Sequence, residues 1–463
     1  MKAWEMEKEL IQSAIPTILE EEEQEWDVMA EVGKAEDDKI KLLWGSNVPG
    51  SAAPERIIIA GVQAMENRGY LVEGYEAIVD EGLKALEAND MVTLHQLTSK
   101  LYHQILHSVK DEASSYWHYK PYTTWKQYEE AVTFLKPESV DVYSKDFEDK
   151  ILVGWRAQLI GGALGTAIEG YTTDNLRKVF GEIHDYVRKP NTLNDDITFE
   201  LAFLKAYAKK GKELTSVDIA HEWIGLIPAG WSAEEVALRN IRYGIYPPES
   251  GVYGNPYCEW IGAQMRGAIC GMVAPGNPRE AARLAWIDGQ ISHYNNGIIG
   301  EVFNAILVAL SFTRTDVREL LKDTISMIPD DSEYYTVVTF ALEQCEKAHN
   351  WEEAWRICEK KYERYNWIHA YPNAAAEVVA LWFGNGDFDK TLHIIAMEGV
   401  DVDCNAAQIM TALGIMVGQD KIASKWTEPF DDNIVTYVRT MENIDIHELS
   451  EWTVSSCRNA QKA

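Results

Sequence analysis

The sequence predicts an all-α protein. Three observations carry this: apolar residues recur every three or four positions along most of the 463 residues, many such stretches stop at Gly or Pro, and alternating strand patterns are scarce. In order, the helical stretches are "PERIIIAGVQAMENRGYLVEGYEAIVDEGLKALEAND", "MVTLHQLTSKLYHQILHSV", "DDITFELAFLKAYAKKGKEL", "REAARLAWIDGQI", "GEVFNAILVALSF", "DVRELLKDTISMI", "EAWRICEKKYERY" and "NAAAEVVALWFGNG". The best strand-like run is "ERIIIAGV", and it is short.

The chain divides into three regions. Residues 1–145 form a helical extension with an acid run, Glu20 to Glu23, and the aromatic cluster "SSYWHYKPYTTWKQYEEAV". Residues 146–432 hold the Gly-rich and Asp-rich segments, and residues 433–463 form a polar tail expected to pack as a helix. No Pro/Ser/Gly linker separates them, so the extension is expected to pack on the rest. The acid run reads as a solvated helix face, and the aromatics as packing, with a lid or an oligomer interface as the other readings.

The net charge of -30 excludes DNA, RNA and anionic membranes as partners, because these bind basic surfaces. No apolar run is long enough to span a bilayer, and the acidic, amphipathic N-terminus lacks the features of a signal peptide. The six cysteines form no Cys-x-x-Cys pair, as expected of reduced thiols. These features point to the cytoplasm. Homo-oligomerisation is left open.

Two places carry more acid than helix capping requires. "GVDVDCNAAQIMTALGIMVG" sets Asp401 and Asp403 one residue apart, before a small-residue helix expected to start near Cys404 or Asn405. "NTLNDDITFELAFLKAY" sets Asp195 beside Asp196 at another helix start, after Asn194. One Asp caps a helix by accepting backbone N–H bonds. Two held side by side repel unless a cation compensates. The two pairs together make an oxygen-ligand set suited to Mg²⁺ or Mn²⁺. By contrast, "HQILH", with His103 and His107, lacks the Glu of a zincin motif and reads as a helix face.

Upstream lies "GWRAQLIGGALGTAIEGY", with Gly161, Gly162, Gly165 and Glu169. Followed in order by Asp-Asp, by "DGQISHYNNGIIGEVFNAI" and by Asp-x-Asp, this segment makes the chain resemble the ADP-ribosylglycohydrolase family over about residues 147–430. The resemblance implies an orthogonal helical bundle and two Mg²⁺ (or Mn²⁺) ions at the base of a cleft. It implies Asn194, Asp195, Asp196, Asp401 and Asp403 as metal ligands, and Glu169 and Asp196 as catalytic groups. It places the sugar near Ser292, His293, Asn296 and Gly297. Departures from the family pattern are Gly162 for Asp, Asn194 for Thr, and Cys404 for Thr.

The activity implied is metal-dependent hydrolysis of an N- or O-glycosidic bond at C1 of a ribofuranosyl-type sugar. Where ADP-ribosyl hydrolases have a Gly/Ser-rich loop for the diphosphate, this chain has "GNPYCEWIGAQMRGAI", keeping Gly262, Met265 and Arg266. That wall and the acidic charge favour a small-molecule glycoside, with Trp260 or Tyr257 as a stacking surface. The alternatives are an ADP-ribosyl-protein hydrolase and a non-catalytic ribosyl-ligand binding protein.

Overall fold

The computed structural model describes residues 1–26, 28–430 and 432–462. Within them lie 22 α-helices and two short antiparallel hairpins, Ser46–Asn47 with Pro54–Glu55 and Asn433–Val435 with Asn443–Asp445. The strand-like run "ERIIIAGV" is mostly in the helix Ile57–Asn67. Ile57, Ile58, Ala60, Gly61, Val62, Ala64 and Met65 are all buried there, so the helix is apolar on several faces. Periodicity alone cannot tell such a helix from a buried strand.

The centre of the molecule is a crossing of two small-residue helices, Lys145–Gly165 and Val402–Val417. Around it pack Asp196–Lys210, Asn296–Ser311, Ala370–Gly384 and the C-terminal helix Ile446–Lys462. Trp155 Nε1 donates to Thr453 Oγ1 at 3.0 Å, and Arg458 pairs with Glu148 at 2.9 Å, so the expected tail is a docked helix. Ala463 at its end lies outside the described residues. No helix among the described residues is long and apolar enough to cross a membrane. All six cysteines are buried free thiols.

The N-terminal region is joined to the bundle by polar bonds from its aromatics. Tyr116 OH donates to Glu259 at 2.8 Å, Tyr122 N–H to Asn295 Oδ1 at 2.8 Å, and Tyr128 OH to the Met327 carbonyl at 2.7 Å. These rings are buried, which is packing rather than a lid. The acid run is fully exposed, with Glu21–Glu23 in a 3₁₀ turn. His103 and His107 are exposed on their helix, their rings 4.2 Å apart.

Two buried glutamates mark the core. Glu377 accepts from Gln264 at 2.9 Å and Asn304 at 3.1 Å, and Glu200 accepts from Gln408 at 3.2 Å. Burial pushes each up to about 8, with these amide bonds only partly opposing it. Each folded carboxyl therefore keeps a proton that the unfolded chain releases near its ordinary value of 4.5. The stability this supplies is complete below that value and is lost as pH rises towards 8. We expect unfolding free energy to fall by about 1 kcal/mol per pH unit for each group across that window. Glu377→Gln mimics the protonated acid, so it should flatten its share of the slope. Urea melts of both proteins from pH 5.5 to 8.5 check this; parallel curves would remove the assignment.

Candidate metal and active site

Aspartates usually reach helix starts as caps, and here several do. Asp90, Asp316 and Asp387 each accept a bond from a backbone N–H three residues on. Asp195 and Asp401 occupy the same N-cap position, before Asp196–Lys210 and Val402–Val417, yet neither side chain makes the capping bond. Their carboxylates are free to point elsewhere. The helix after Asp401 starts at Val402, slightly earlier than the small-residue pattern suggests, because Asp403 sits inside its first turn.

The glycines explain how the acids meet. A Cβ on Gly161 would lie 2.5 Å from the Ala406 carbonyl, and one on Gly165 would lie 2.1 Å from the Asp403 nitrogen. Only hydrogen side chains let the two helices cross this closely. The crossing ends at Glu169, whose turn is tied to the other acids: Gly170 N–H donates to the Val400 carbonyl at 2.8 Å, and Val400 N–H to the Tyr171 carbonyl at 3.1 Å. Gly165→Ala should cost about 3 kcal/mol or more, because the colliding atoms are backbone on both sides. Denaturation of that variant, with Mn²⁺ calorimetry, checks it; wild-type stability would mean that the helices can separate freely.

Acid oxygens of Asp401 and Asp403 and the Cys404 sulfur all lie within 4.8 Å of one another. Asp401 and Glu169 lie close enough to Asp403 to shift its proton affinity. Asn194 Nδ2 donates to Asp196 Oδ2 at 3.2 Å. That amide fills the space beside Gly162, where a Cβ would come 2.6 Å from Asn194 Nδ2 and 3.6 Å from Asp196 Oδ2. Asn194 thus stands in the room left by the missing Gly162 side chain. Asp196, Asp401 and Asp403 are buried, while Glu169, Asn194 and Asp195 reach partly to solvent and form the open side.

The electrostatics are those of carboxyls crowded together. Burial raises Glu169 well above the usual range, and Asp403, Asp401, Asp195 and Asp196 raise it further. Asp196 and Asp401 are raised by burial and then by Asp403. Asp195 is pushed up to about 6 for the same reasons, with a smaller push from Glu55. The Cys404 thiol is driven up by burial and by the surrounding acids. Asp196 Oδ1, Asp401 Oδ1 and Asp403 Oδ1 are buried with no hydrogen-bond partner. Buried acceptors left unpaired are costly. Two of these belong to the Asp401–Asp403 group and the third to the neighbouring Asp196, and all are hard oxygens that suit a hard divalent cation.

The expected sugar-side residues are placed differently. Asn296 gives its Nδ2 to Glu259 at 3.3 Å and accepts from Tyr334 N–H at 3.2 Å. Its polar groups are used inside the protein, which corrects the substrate-binding expectation. Gly297 packs on Cys258, where a Cβ would lie 2.4 Å from the carbonyl oxygen. Trp260 is 1% exposed, with its ring centre 4.8 Å from that of Tyr257. Tyr257 in turn lies under Gly61 of the extension and donates to the Ile57 carbonyl at 3.0 Å. The extension covers Tyr257, and Trp260 is buried beside it, so neither is a stacking surface.

His293 is buried and shares a 2.8 Å hydrogen bond through Nδ1 with Ser292 Oγ. Burial, and then Arg266, hold its pKa well below the usual value, so it is neutral. Its Nε2 has no partner. Beside it Arg266 is buried between Asp288, Glu234 at 3.0 Å and Glu301 at 3.9 Å. Glu234 also feels the charge of Asp195, which links this ion network to the open side of the site.

Sequence reasoning missed three supporting groups. Asn373 Oδ1 accepts from Asp401 N–H at 3.1 Å and from Asn405 Nδ2 at 2.7 Å, holding the start of the second acid pair. A polar residue inside "NAAAEVVALWF" was the available signal. Glu55 comes from the extension and accepts from Trp231 at 2.9 Å and Ser46 at 3.2 Å. Trp367 packs on Gly170, next to Glu169; a Cβ on Gly170 would lie 3.6 Å from its ring.

An uncharacterized protein of Archaeoglobus fulgidus is 24% identical over 181 residues, which are 36% of this chain and 58% of that relative. A solved ADP-ribosylglycohydrolase-related protein complex aligns at 17% identity and TM-score 0.49, over 68% of this chain and 100% of that chain. The ADP-ribosylglycohydrolase family profile matches residues 143–462, running past the expected end near 430 and through the C-terminal helix. The chain belongs to the ADP-ribosylglycohydrolase family.

Proposed function

We propose that the protein is a metal-dependent glycosidase that hydrolyses the bond between C1 of a ribofuranosyl-type sugar and a small aglycone. The observation that carries this reading is the trio of unpartnered buried oxygens on Asp196, Asp401 and Asp403, set at two helix starts that are not used for capping. Asp195, Asp196, Asp401 and Asp403, with Asn194, would hold two Mg²⁺ or Mn²⁺ ions. Such ions, when bound, anchor vicinal sugar hydroxyls and make water more acidic.

The chain's own groups do the rest. Glu169 lies half-buried on the open side, and with bound cations offsetting the charge of the neighbouring acids its carboxylate would suit a general base. In the reaction the C1–aglycone bond breaks and a water oxygen bonds to C1. One water proton passes to Glu169, and the aglycone leaves with a proton returned from it. Asp196, held by Asn194, orients the sugar from below.

A small aglycone suits the wall better than a diphosphate. Residues 255–270 are buried, and the N–H groups of Trp260, Ile261, Met265 and Arg266 already donate to protein carbonyls. Those four N–H groups are not available to phosphate oxygens.

The test is a release assay with Mg²⁺ or Mn²⁺ on ribonucleosides, furanosides, ADP-ribosyl-arginine and ADP-ribosyl-serine, with an EDTA control. Free sugar, lost with EDTA, is the expected product. Release of ADP-ribose would move the substrate to ADP-ribosylated protein. No turnover by protein that still takes up Mn²⁺ would leave a ribosyl-binding protein instead.

A further inference from the structure

One cavity in the molecule is built jointly by the N-terminal extension and the family domain. Its volume is about 410 Å³, within the range of small-molecule sites. Ile57 and Ile59 line one side, Trp367 and Ile368 the other, and Glu55 and Arg56 complete the wall. The extension lies outside the stretch that the family profile matches, which begins at residue 143.

The cavity adjoins the acidic site. The loop leading to Glu55 lies over the turn that carries Glu169. A Cβ on Gly50 would lie 2.1 Å from the Thr166 carbonyl, and one on Gly170 would lie 2.6 Å from Ala53 Cβ and 3.6 Å from the Trp367 ring. Tyr171 OH donates to the Ser51 carbonyl at 3.1 Å, and Arg188 Nη1 to the Gly50 carbonyl at 2.6 Å, which fix the loop there. Trp367 of the cavity wall therefore packs on Gly170, the residue after Glu169.

Its chemistry is that of an aromatic-ring site. The apolar sides face each other around a half-buried indole, Trp367. The amides at the rim are already paired: Asn366 Nδ2 donates to Gln63 Oε1 at 3.2 Å, Gln63 Nε2 to the Arg364 carbonyl at 2.9 Å, and Ile368 N–H to Asn366 Oδ1 at 3.0 Å. That leaves Oε1 of Glu55, whose Oε2 already accepts from Trp231 and Ser46, and one exposed cation, Arg56, which makes no ion pair among the described residues. One acceptor and one donor of opposite charge match the edge of a neutral heterocycle. They do not match a diphosphate, which brings several negative charges to a protein of net charge -30.

We propose that this cavity is the aglycone site and takes an uncharged, nucleobase-like heteroaromatic ring, so that residues 54–63 of the extension supply one wall of the substrate pocket. The word aglycone rests on the glycosidase reading above; the ring-binding cavity does not. On this account the substrates are N-ribosides of heteroaromatic bases, and Trp367 is the stacking residue.

The test separates the two readings. Full-length protein in EDTA is titrated with adenine, uracil and nicotinamide by calorimetry, and Mn²⁺ is titrated separately. At least one ring is expected to bind wild type, with affinity falling about tenfold or more in Trp367→Ala and in Ile59→Asp, and largely kept in Trp367→Phe. Mn²⁺ affinity should be unchanged in all three, which also shows that they fold. Mn²⁺ uptake with no ring binding overturns the cavity assignment alone. Ring binding that ignores both Trp367→Ala and Ile59→Asp overturns it as well. Ring binding that needs Trp367, without Mn²⁺ uptake, supports the cavity and overturns the metal-dependent glycosidase.

Discussion

Asp403→Asn should lose Mn²⁺ affinity on the order of a hundredfold or more and lose turnover with it, while the metal-free protein stays folded. Asp403 is the acid that the others feel most: after burial, its charge is the largest factor raising Glu169, Asp195, Asp196 and Asp401. Asn keeps the shape and one oxygen but removes the charge. The metal-free variant should therefore melt no lower than wild type, because one member of a repelling group is gone. The holo variant should fail to gain the stabilisation that a bound ion supplies by mass action. Melting curves with EDTA and with Mn²⁺, beside the release assay, check both halves. Wild-type turnover in the variant would remove the acids from the chemistry.

Arg266→Met should destabilise the protein by about 3–5 kcal/mol, the largest effect expected away from the metal site. The guanidinium is 1% exposed, sits among Asp288, Glu234 and Glu301, and donates to Ser292 Oγ at 3.0 Å. Phe199 and Trp223 lie against it, with ring centres 5.6 and 4.9 Å away. Burial lowers its affinity for its proton, but the three acids outweigh that. Met fills similar volume yet leaves three carboxylates in the interior with no cation. They must then take up protons to stay buried. Adding Asp288→Asn to Arg266→Met should recover part of the loss, and the double-mutant cycle measures the coupling. A single variant within about 1 kcal/mol of wild type would show that the acids are already protonated and need no cation.

Much of the candidate site could be read from short stretches of sequence. The order Gly-rich helix, Asp-Asp, His segment, Asp-x-Asp is local, and so is the rule that acids gather at helix starts. Asp195, Asp196, Asp401 and Asp403 were found this way. Trp260 and Asn296 were misplaced because residue type says what a side chain can touch, not what covers it. The extension covers Tyr257 through Gly61 and Ile57, some two hundred positions upstream, and Trp260 is buried beside that ring.

By itself, then, the sequence determined the helical class, the segments that form helices and the acids that gather at their starts, because periodicity and helix-end chemistry act within a few residues. Tertiary structure alone decided that Asp195 and Asp401 do not cap their helices, that Gly161 and Gly165 bring the second acid pair against Glu169, and that Glu55 and Trp367 meet at one cavity. Those outcomes depend on the approach of backbones far apart in the chain. A glycine announces that something comes close, and only the packed fold says what it is.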